Sequence, residues 1–257
     1  MTSQGTRRHH KHPLHEFDCK SLYKCDGCKM DGFGKKFRCE KCDYDLHPEC
    51  NSAEAIIEFK GKKYEFFSKP PKGVNCRKNH KCKSGCRGCD ACGMTIEGYM
   101  YHCTDNDQDF HPKCLKLKPQ IIIEDVTFTL QSKMPQSSKC AKCKKNLVQG
   151  AVKKIPGWSY VSEYDDCDFH VYCVMEMAME SLKSLSSSDQ MNSSSVEKHQ
   201  QRKIKKKGSS SSKSKSYWFN IIKIFMTTVF SILIGDPTTF VASTMVHLVT
   251  QSVFNIG

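Results

Sequence analysis

The sequence predicts a row of small β-rich modules held together by bound metal rather than by one large apolar core. Three observations carry that expectation. The phrase DYDLHPEC (43–50) returns as DQDFHPKC (107–114) and again as DDCDFHVYC (165–173), and a phrase that recurs at intervals marks a structural unit. Only 38% of the 257 residues are hydrophobic, which disfavours a single extended core and favours small stapled units. The chain carries 17 Cys and 11 His, and the two types recur side by side.

The staple can be a disulfide or a metal ion. The opening MTSQGTRRHHKHP has charge but lacks the apolar stretch of a secretory leader, so the thiols are expected to stay reduced. The odd number of Cys and the recurrent His beside Cys also point to metal. The formal charge of +13 overstates the charge of such a chain. A dication held by three thiolates and one neutral His carries about −1, so three such sites lower the total by about three.

Spacing sets the ligands. In the first unit Cys25 and Cys28 form one C-x-x-C pair, Cys39 and Cys42 form another, and His47 and Cys50 follow as H-x-x-C. The second unit has Cys89 and Cys92, then His111 and Cys114; Cys25 to Cys50 and Cys89 to Cys114 both span 26 residues. The third, stretched by KKIPGWSYVSEYDD, has Cys140 and Cys143, then His170 and Cys173. A C-x-x-C turn presents two thiolates on one knuckle, H-x-x-C presents two more donors, and zinc takes four N or S ligands in a tetrahedron. Each unit therefore holds one Cys-Cys-His-Cys set.

HKHPL, KCDGC and FRCEKCDYDLHPEC resemble the plant Cys/His-rich divergent C-one family, relatives of the phorbol-ester/diacylglycerol-type zinc finger. The resemblance extends over about residues 10–180, through CDACGMTIEGYMYHC and KCAKCKKNL, to FHVYC. It implies tandem fingers in signal transduction, with two interleaved sites per finger. The initial His12 would then join Cys39 and Cys42 in a further site. The family's late Cys or His is absent after Cys50, leaving Glu58, Cys19 and His15 as candidates for the fourth ligand. In the second unit Asn106 replaces one Cys of the inner pair. A second site there would form around Cys103 with ligands drawn from Cys76, His80, Cys82 and Cys86. In the third, Ser162 and Asp165 stand where the inner pair belongs, so its second site is expected to be lost. The expectation is three to five zinc ions, centred on four.

The domains follow as fingers at 10–58, 59–118 and 119–183, a Ser/Lys-rich disordered linker at 184–216, and an apolar C-terminal helical hairpin at 217–257. EAIIEF and KKYEFF (54–67) and QIIIEDVTFTLQS (120–132) alternate as strands do, and each H-x-x-C opens a short helix. EMAMESLKSL continues the helix begun at His170. Tyr217–Ile234 reads as an apolar helix stopped by Gly235, with a second, amphipathic arm over 237–255. The hairpin suits a membrane interface, aided by RKIKKK (202–207), and equally suits packing on the fingers or on a second chain; spanning a bilayer is least favoured.

These readings lead to a zinc-binding, non-catalytic finger protein that serves as a protein- or membrane-interaction module in intracellular signalling. No Ser-His-Asp set and no phosphate loop is visible. Protein partners are expected, together with an anionic membrane surface reached through 202–257. The expected location is the cytoplasm, on or off a membrane, with the nucleus as an alternative. Met30 and Phe33 beside Lys35 and Lys36 suggest a lipid-dipping tip, but the supporting Pro and Gln are missing, so diacylglycerol binding is not expected. Two other classes compete. A disulfide reductase would use C-x-x-C pairs as dithiols, but most pairs here have H-x-x-C partners. A PHD-like chromatin finger wants a Trp where Ser84 stands. No recognition helix lies between Cys and His pairs, so sequence-specific nucleic-acid reading is not expected.

Overall fold

A computed structural model describes residues 10–71, 87–148, 155–164, 167–188 and 215–235. They form two compact units, one holding the described residues through Leu117 with Ile155, the other holding the remainder.

The first unit opens with an antiparallel sheet of β1 (His15–Lys24), β2 (Asp31–Cys39) and β3 (Tyr44–Leu46), followed by the single turn α1 (Pro48–Asn51). Next come β4 (Ile56–Phe59) and β5 (Lys62–Phe67), joined by Lys60 and Gly61 at φ 50° and 70°. Positive φ at both central residues suits a two-residue hairpin, because that turn follows the twist of its strands. A two-stranded ribbon of β6 (Arg87–Gly88) and β7 (Thr95–Ile96) precedes β8 (Met100–Cys103) and β9 (Gln108–Phe110). The larger sheet runs β4-β5-β8-β9, so the hairpin leaving the first module completes the sheet of the second. A short 3-10 helix, Pro112–Lys116, closes it. The two modules touch where Tyr99 N–H donates to Gly27 O at 2.8 Å. A Cβ on Gly98 would lie 2.0 Å from that same oxygen, so no larger residue fits this approach.

The second unit is a sheet in the order β10 (Gln120–Ile123), β11 (Val126–Gln131), β12 (Ser159–Ser162), β13 (Phe169–His170), followed by α2 (Val171–Ser188) and α3 (Lys215–Leu233). The expected strands at 54–67 and 120–132 are both hairpins of the structure. Helix α2 runs to Ser188, four residues beyond the start of the expected linker at 184.

Helix α3 presents one apolar face, and its burial explains why the helix forms. Trp218, Ile221, Ile222, Phe225, Met226, Val229, Phe230 and Leu233 recur at helical spacing and are all buried. Phe225 stacks on Phe128 at 4.1 Å and on Phe169 at 5.4 Å, and meets Tyr160 edge-on at 5.3 Å. Trp218 packs edge-on against Tyr164 at 4.4 Å. The chain leaves the helix through Gly235, whose φ of 123° is open to glycine. Of the expectations for this helix, the structure has its apolar face covered by the β10–β13 sheet. No helix among the described residues is long and apolar enough to cross a membrane. The expected second arm, 237–255, and the basic run 202–207 lie outside the described residues.

Phe225→Ala is expected to cost about 3–5 kcal/mol, the usual range for emptying a buried Phe site. Denaturant titration followed by tryptophan fluorescence checks it. An unchanged midpoint would mean that α3 does not hold this sheet.

Candidate metal centres

One local pattern builds each of the three main centres. After the first Cys the chain turns tightly enough for the residue four positions later to donate N–H back to it. Lys29 N bonds Cys25 O at 2.9 Å, Gly93 N bonds Cys89 O at 2.8 Å, and Lys144 N bonds Cys140 O at 2.8 Å. All three take positive φ, at 64°, 72° and 58°. That knuckle puts both thiols of the C-x-x-C on one side. The next residue ties the knuckle to the strand before the ligand His: Asp26 N to Asp45 O at 2.7 Å, Asp90 N to Asp109 O at 2.8 Å, Ala141 N to Asp168 O at 2.7 Å. The recurrent acid-apolar-His phrase is thus a register lock. It delivers the His to the knuckle, and the turn that follows delivers the last Cys.

The result is three four-donor groups: Cys25, Cys28, His47 and Cys50; Cys89, Cys92, His111 and Cys114; Cys140, Cys143, His170 and Cys173. Their donor atoms lie within 4.8 Å of one another. Each His turns Nδ1 toward the sulfurs, at 3.3 and 3.9 Å from Cys28 and Cys50, 3.5 and 3.9 Å from Cys92 and Cys114, and 3.5 and 3.7 Å from Cys143 and Cys173. A tetrahedral zinc with ordinary Zn–S and Zn–N bonds sets its N and S ligands roughly 3.6 Å apart. The spacing therefore fits zinc at each centre. Opposite the sulfurs, His111 Nε2–H donates to Thr95 O at 3.3 Å and His170 Nε2–H to Asn146 O at 3.0 Å. Such bonds hold the tautomer that leaves Nδ1 free to ligate. None of the described cysteines is in a disulfide.

A fourth group joins His10 and His12 to Cys39 and Cys42. His12 Nδ1 lies 3.1 Å from Cys42 Sγ and 3.8 Å from Cys39 Sγ. His10 stacks on Tyr44 at 4.5 Å, and its Nε2 is buried without a hydrogen-bonding partner. The expected fourth ligands are therefore replaced. Glu58 lies on β4, His15 is exposed at the start of β1, and Cys19 contacts Ser21 at 3.3 Å. The missed signal was the H-x-H pair itself: two His one residue apart can both reach a C-x-x-C knuckle. This group is the most open of the four, because Cys42 is exposed.

The other second sites differ. Among the described residues no group assembles around the buried Cys103. Cys76, His80, Cys82 and Cys86 lie outside them, as does Asp165. His102, Asp107 and Asp109 do come together, but a guanidinium already stands there. Arg87 Nη1 reaches the Asp109 carboxylate at 2.5 and 2.7 Å, and His102 Nδ1 lies 2.9 Å from it. Ser162, at an expected ligand position of the third unit, instead donates its N–H to Asp168 at 2.8 Å and its hydroxyl to Tyr164 O at 2.9 Å. The lipid-dipping tip is likewise not built. Phe33 is buried, and Lys36 is buried against Asp45 at 2.7 Å.

Three thiols crowded together do not ionise alike. Hydrogen bonds from Cys28 and Cys50 hold Cys25 far below the usual thiol range, and those from Cys143 and Cys173 bring Cys140 to about 3. At Cys89 burial works upward, but bonds from Cys114 and Cys92 and the nearby His111 outweigh it. The partners go the other way. Donation to Cys25 pushes Cys28 to about 12, and Cys50, Cys92, Cys114 and Cys173 are also raised. In the first and second centres one thiol is thus lowered and two are raised, so a dication must expel protons to bind there. Metal affinity is expected to fall as pH falls, because acid returns those protons. Competition with a chromophoric chelator between about pH 5.5 and 8 measures this, and flat binding would contradict it. The loaded first centre also has a cation nearby: Lys113 is 2% exposed, and burial lowers its pKa while Glu49, Cys28, Cys50 and Cys25 pull it upward.

The described residues thus form β-rich modules with few helices and four Cys/His groups able to hold metal, a pattern that fits small metal-binding domains. No family model matches the chain, and no solved structure matches it. Among curated proteins, one described as "Probable nucleoredoxin 3", from Arabidopsis thaliana, is 47% identical over 48 residues. The match covers 19% of this chain and 12% of that protein, so the chain spans only a small part of that relative's length.

Proposed function

We propose that this protein is a zinc-binding, non-catalytic finger protein that acts as an interaction module in intracellular signal transduction. One observation carries the reading: every C-x-x-C pair within the described residues has its thiols gathered with His into a four-donor group. Thiolates committed to a structural zinc are poor redox or nucleophilic groups, and a closed four-ligand site leaves no position for substrate. The metal then does what a large core would do elsewhere, holding small modules rigid enough to present a surface. The resemblance to tandem divergent C-one fingers supplies the signalling context. Native mass spectrometry of the purified chain is the test, with four zinc ions expected. Fewer than three would overturn the reading.

Diacylglycerol is not expected to bind, since buried Phe33 and paired Lys36 leave the first finger without an apolar, basic tip. The basic run 202–207 keeps an anionic membrane surface as a second partner class. Liposome sedimentation with and without phosphatidylserine or diacylglycerol separates these outcomes.

The match to a protein named as a probable nucleoredoxin favours a second reading, disulfide reduction through C-x-x-C dithiols. Zinc-loaded protein is expected to leave insulin disulfides intact. Turnover by the loaded protein would transfer the conclusion to this reading.

A further inference from the structure

Beside α1 the chain has a cavity of about 350 Å³, lined by Glu49, Glu54, Glu58, Ile56, Leu115 and Lys116 among others. Three carboxylates and one ammonium line it, with Lys113 near Glu49, in a chain whose formal charge is +13. Glu49 Oε2 is buried and has no hydrogen-bonding partner. One wall is β4, the edge of its sheet, which among the described residues pairs with β5 alone.

The register says which groups face the open side. Phe66 N–H donates to Ala55 O at 2.9 Å, so the main-chain groups of residue 55 point toward β5. Antiparallel pairing alternates, so those of residue 57 do the same, while the N–H and C=O of Ile56 and Glu58 point outward. The side chains of Ile56 and Glu58 are exposed, and Ile56, at 56%, is a large apolar residue on an open edge. Exposed Glu54 precedes them in the same alternation, giving acid, apolar, acid at every second residue. The Tyr101 hydroxyl accepts from Glu54 N–H at 3.0 Å and donates to Glu54 O at 3.1 Å, which fixes this stretch in advance. Natural edge strands are usually blunted by charged side chains, a proline or a bulge, and a strand that brings the opposite charge removes the first of these barriers. Here the outward positions of β4 carry an isoleucine and a glutamate.

We propose that the β4 edge and its acidic cavity bind an extended segment of a partner protein with Lys or Arg, an apolar residue, and Lys or Arg at alternate positions. The segment adds a strand to β4, and its main chain pairs with Ile56 and Glu58. Its apolar side chain covers Ile56, and its two cations meet Glu54 and Glu58, with the cavity taking one side-chain end near Glu49. This inference rests on the interaction-module reading, and the zinc content of each sample separates the two failures. A sample with four zinc ions that ignores the peptide refutes the docking edge alone.

The test uses the zinc-loaded full chain and a fluorescein-labelled Thr-Lys-Thr-Val-Thr-Lys-Thr peptide, read by fluorescence anisotropy. Saturable binding is expected. The double variant E54K/E58K, altered only at exposed positions, is expected to bind about tenfold or more weakly with its zinc retained. N-methylation of the peptide's pairing amides is expected to weaken binding by about as much, because strand addition needs those donors. Absence of saturable binding to the loaded chain would overturn the proposal. So would equal binding by E54K/E58K or by the N-methylated peptide. Equimolar displacement by spermidine would also overturn it, by assigning the cavity to free polyamines.

Discussion

Cys114→Ser is expected to remove one zinc ion from the chain and to unfold the β8–β9 hairpin around it. Cys114 is fully buried, with Cys89, Cys92 and His111 as its neighbours in the second centre. Structural zinc contributes about 10–16 kcal/mol in small fingers, which rivals or exceeds the whole stability of a typical domain. A serine hydroxyl is a poor zinc ligand, and the remaining three donors cannot close the tetrahedron. The damage should also reach β4 and β5, because they share a sheet with β8. Amide NMR is the appropriate readout. Signals of 54–67 and 87–117 are expected to collapse to random-coil positions while those of 118–148 persist. A variant that keeps the parent's zinc content and spectrum would remove the metal from its central role.

The second large effect concerns a buried ion pair. Asp109 is 0% exposed and Arg87 3% by side chain, with 2.5 Å between them. Burial raises the Asp109 pKa, while the Arg87 and His102 charges work against that rise. Arg87→Met removes the main compensation and strands a carboxylate in the interior. Breaking one side of a buried pair costs about 3–5 kcal/mol. Because the folded pKa is raised, the carboxylate's penalty is absent below its unfolded value of 3.8 and grows as pH rises through the folded value. Arg87→Met sharpens that penalty at neutral pH. Asp109→Asn added to Arg87→Met is expected to recover most of the loss by removing the stranded charge. Guanidinium titration at neutral pH with zinc present measures both. If the double variant is no more stable than the single, the cost lies in packing and not in charge.

The first module makes the same pin differently. Asp45 takes Lys36 at 2.7 Å and Arg38 at 2.9 Å, where Asp109 takes Arg87 and His102. In the second unit Asp168 accepts a main-chain N–H, from Ser162. The recurrent acidic residue is therefore common to all three, while its partner is drawn from whatever strand is adjacent. That is why the sequence shows the acid repeating and does not show its cation.

What the sequence determined alone is everything that depends on short spacing. C-x-x-C and H-x-x-C each place two donors within one turn, so the three Cys-Cys-His-Cys sets could be read directly, as could the hairpins that alternate at 54–67 and 120–132. Tertiary structure decided what depends on distant segments meeting. His10 became the fourth donor of the His12, Cys39 and Cys42 group because the N-terminal stretch brings both His of the H-x-H pair to the β2–β3 turn, and the pair's spacing alone does not say which knuckle it meets. The apolar helix at Lys215–Leu233 could have faced lipid, a second chain or the fingers, since all three reward the same stripe of side chains. Only the stacking of Phe225 on Phe128 and Phe169 distinguishes them, because hydrophobic burial is indifferent to which apolar surface supplies it.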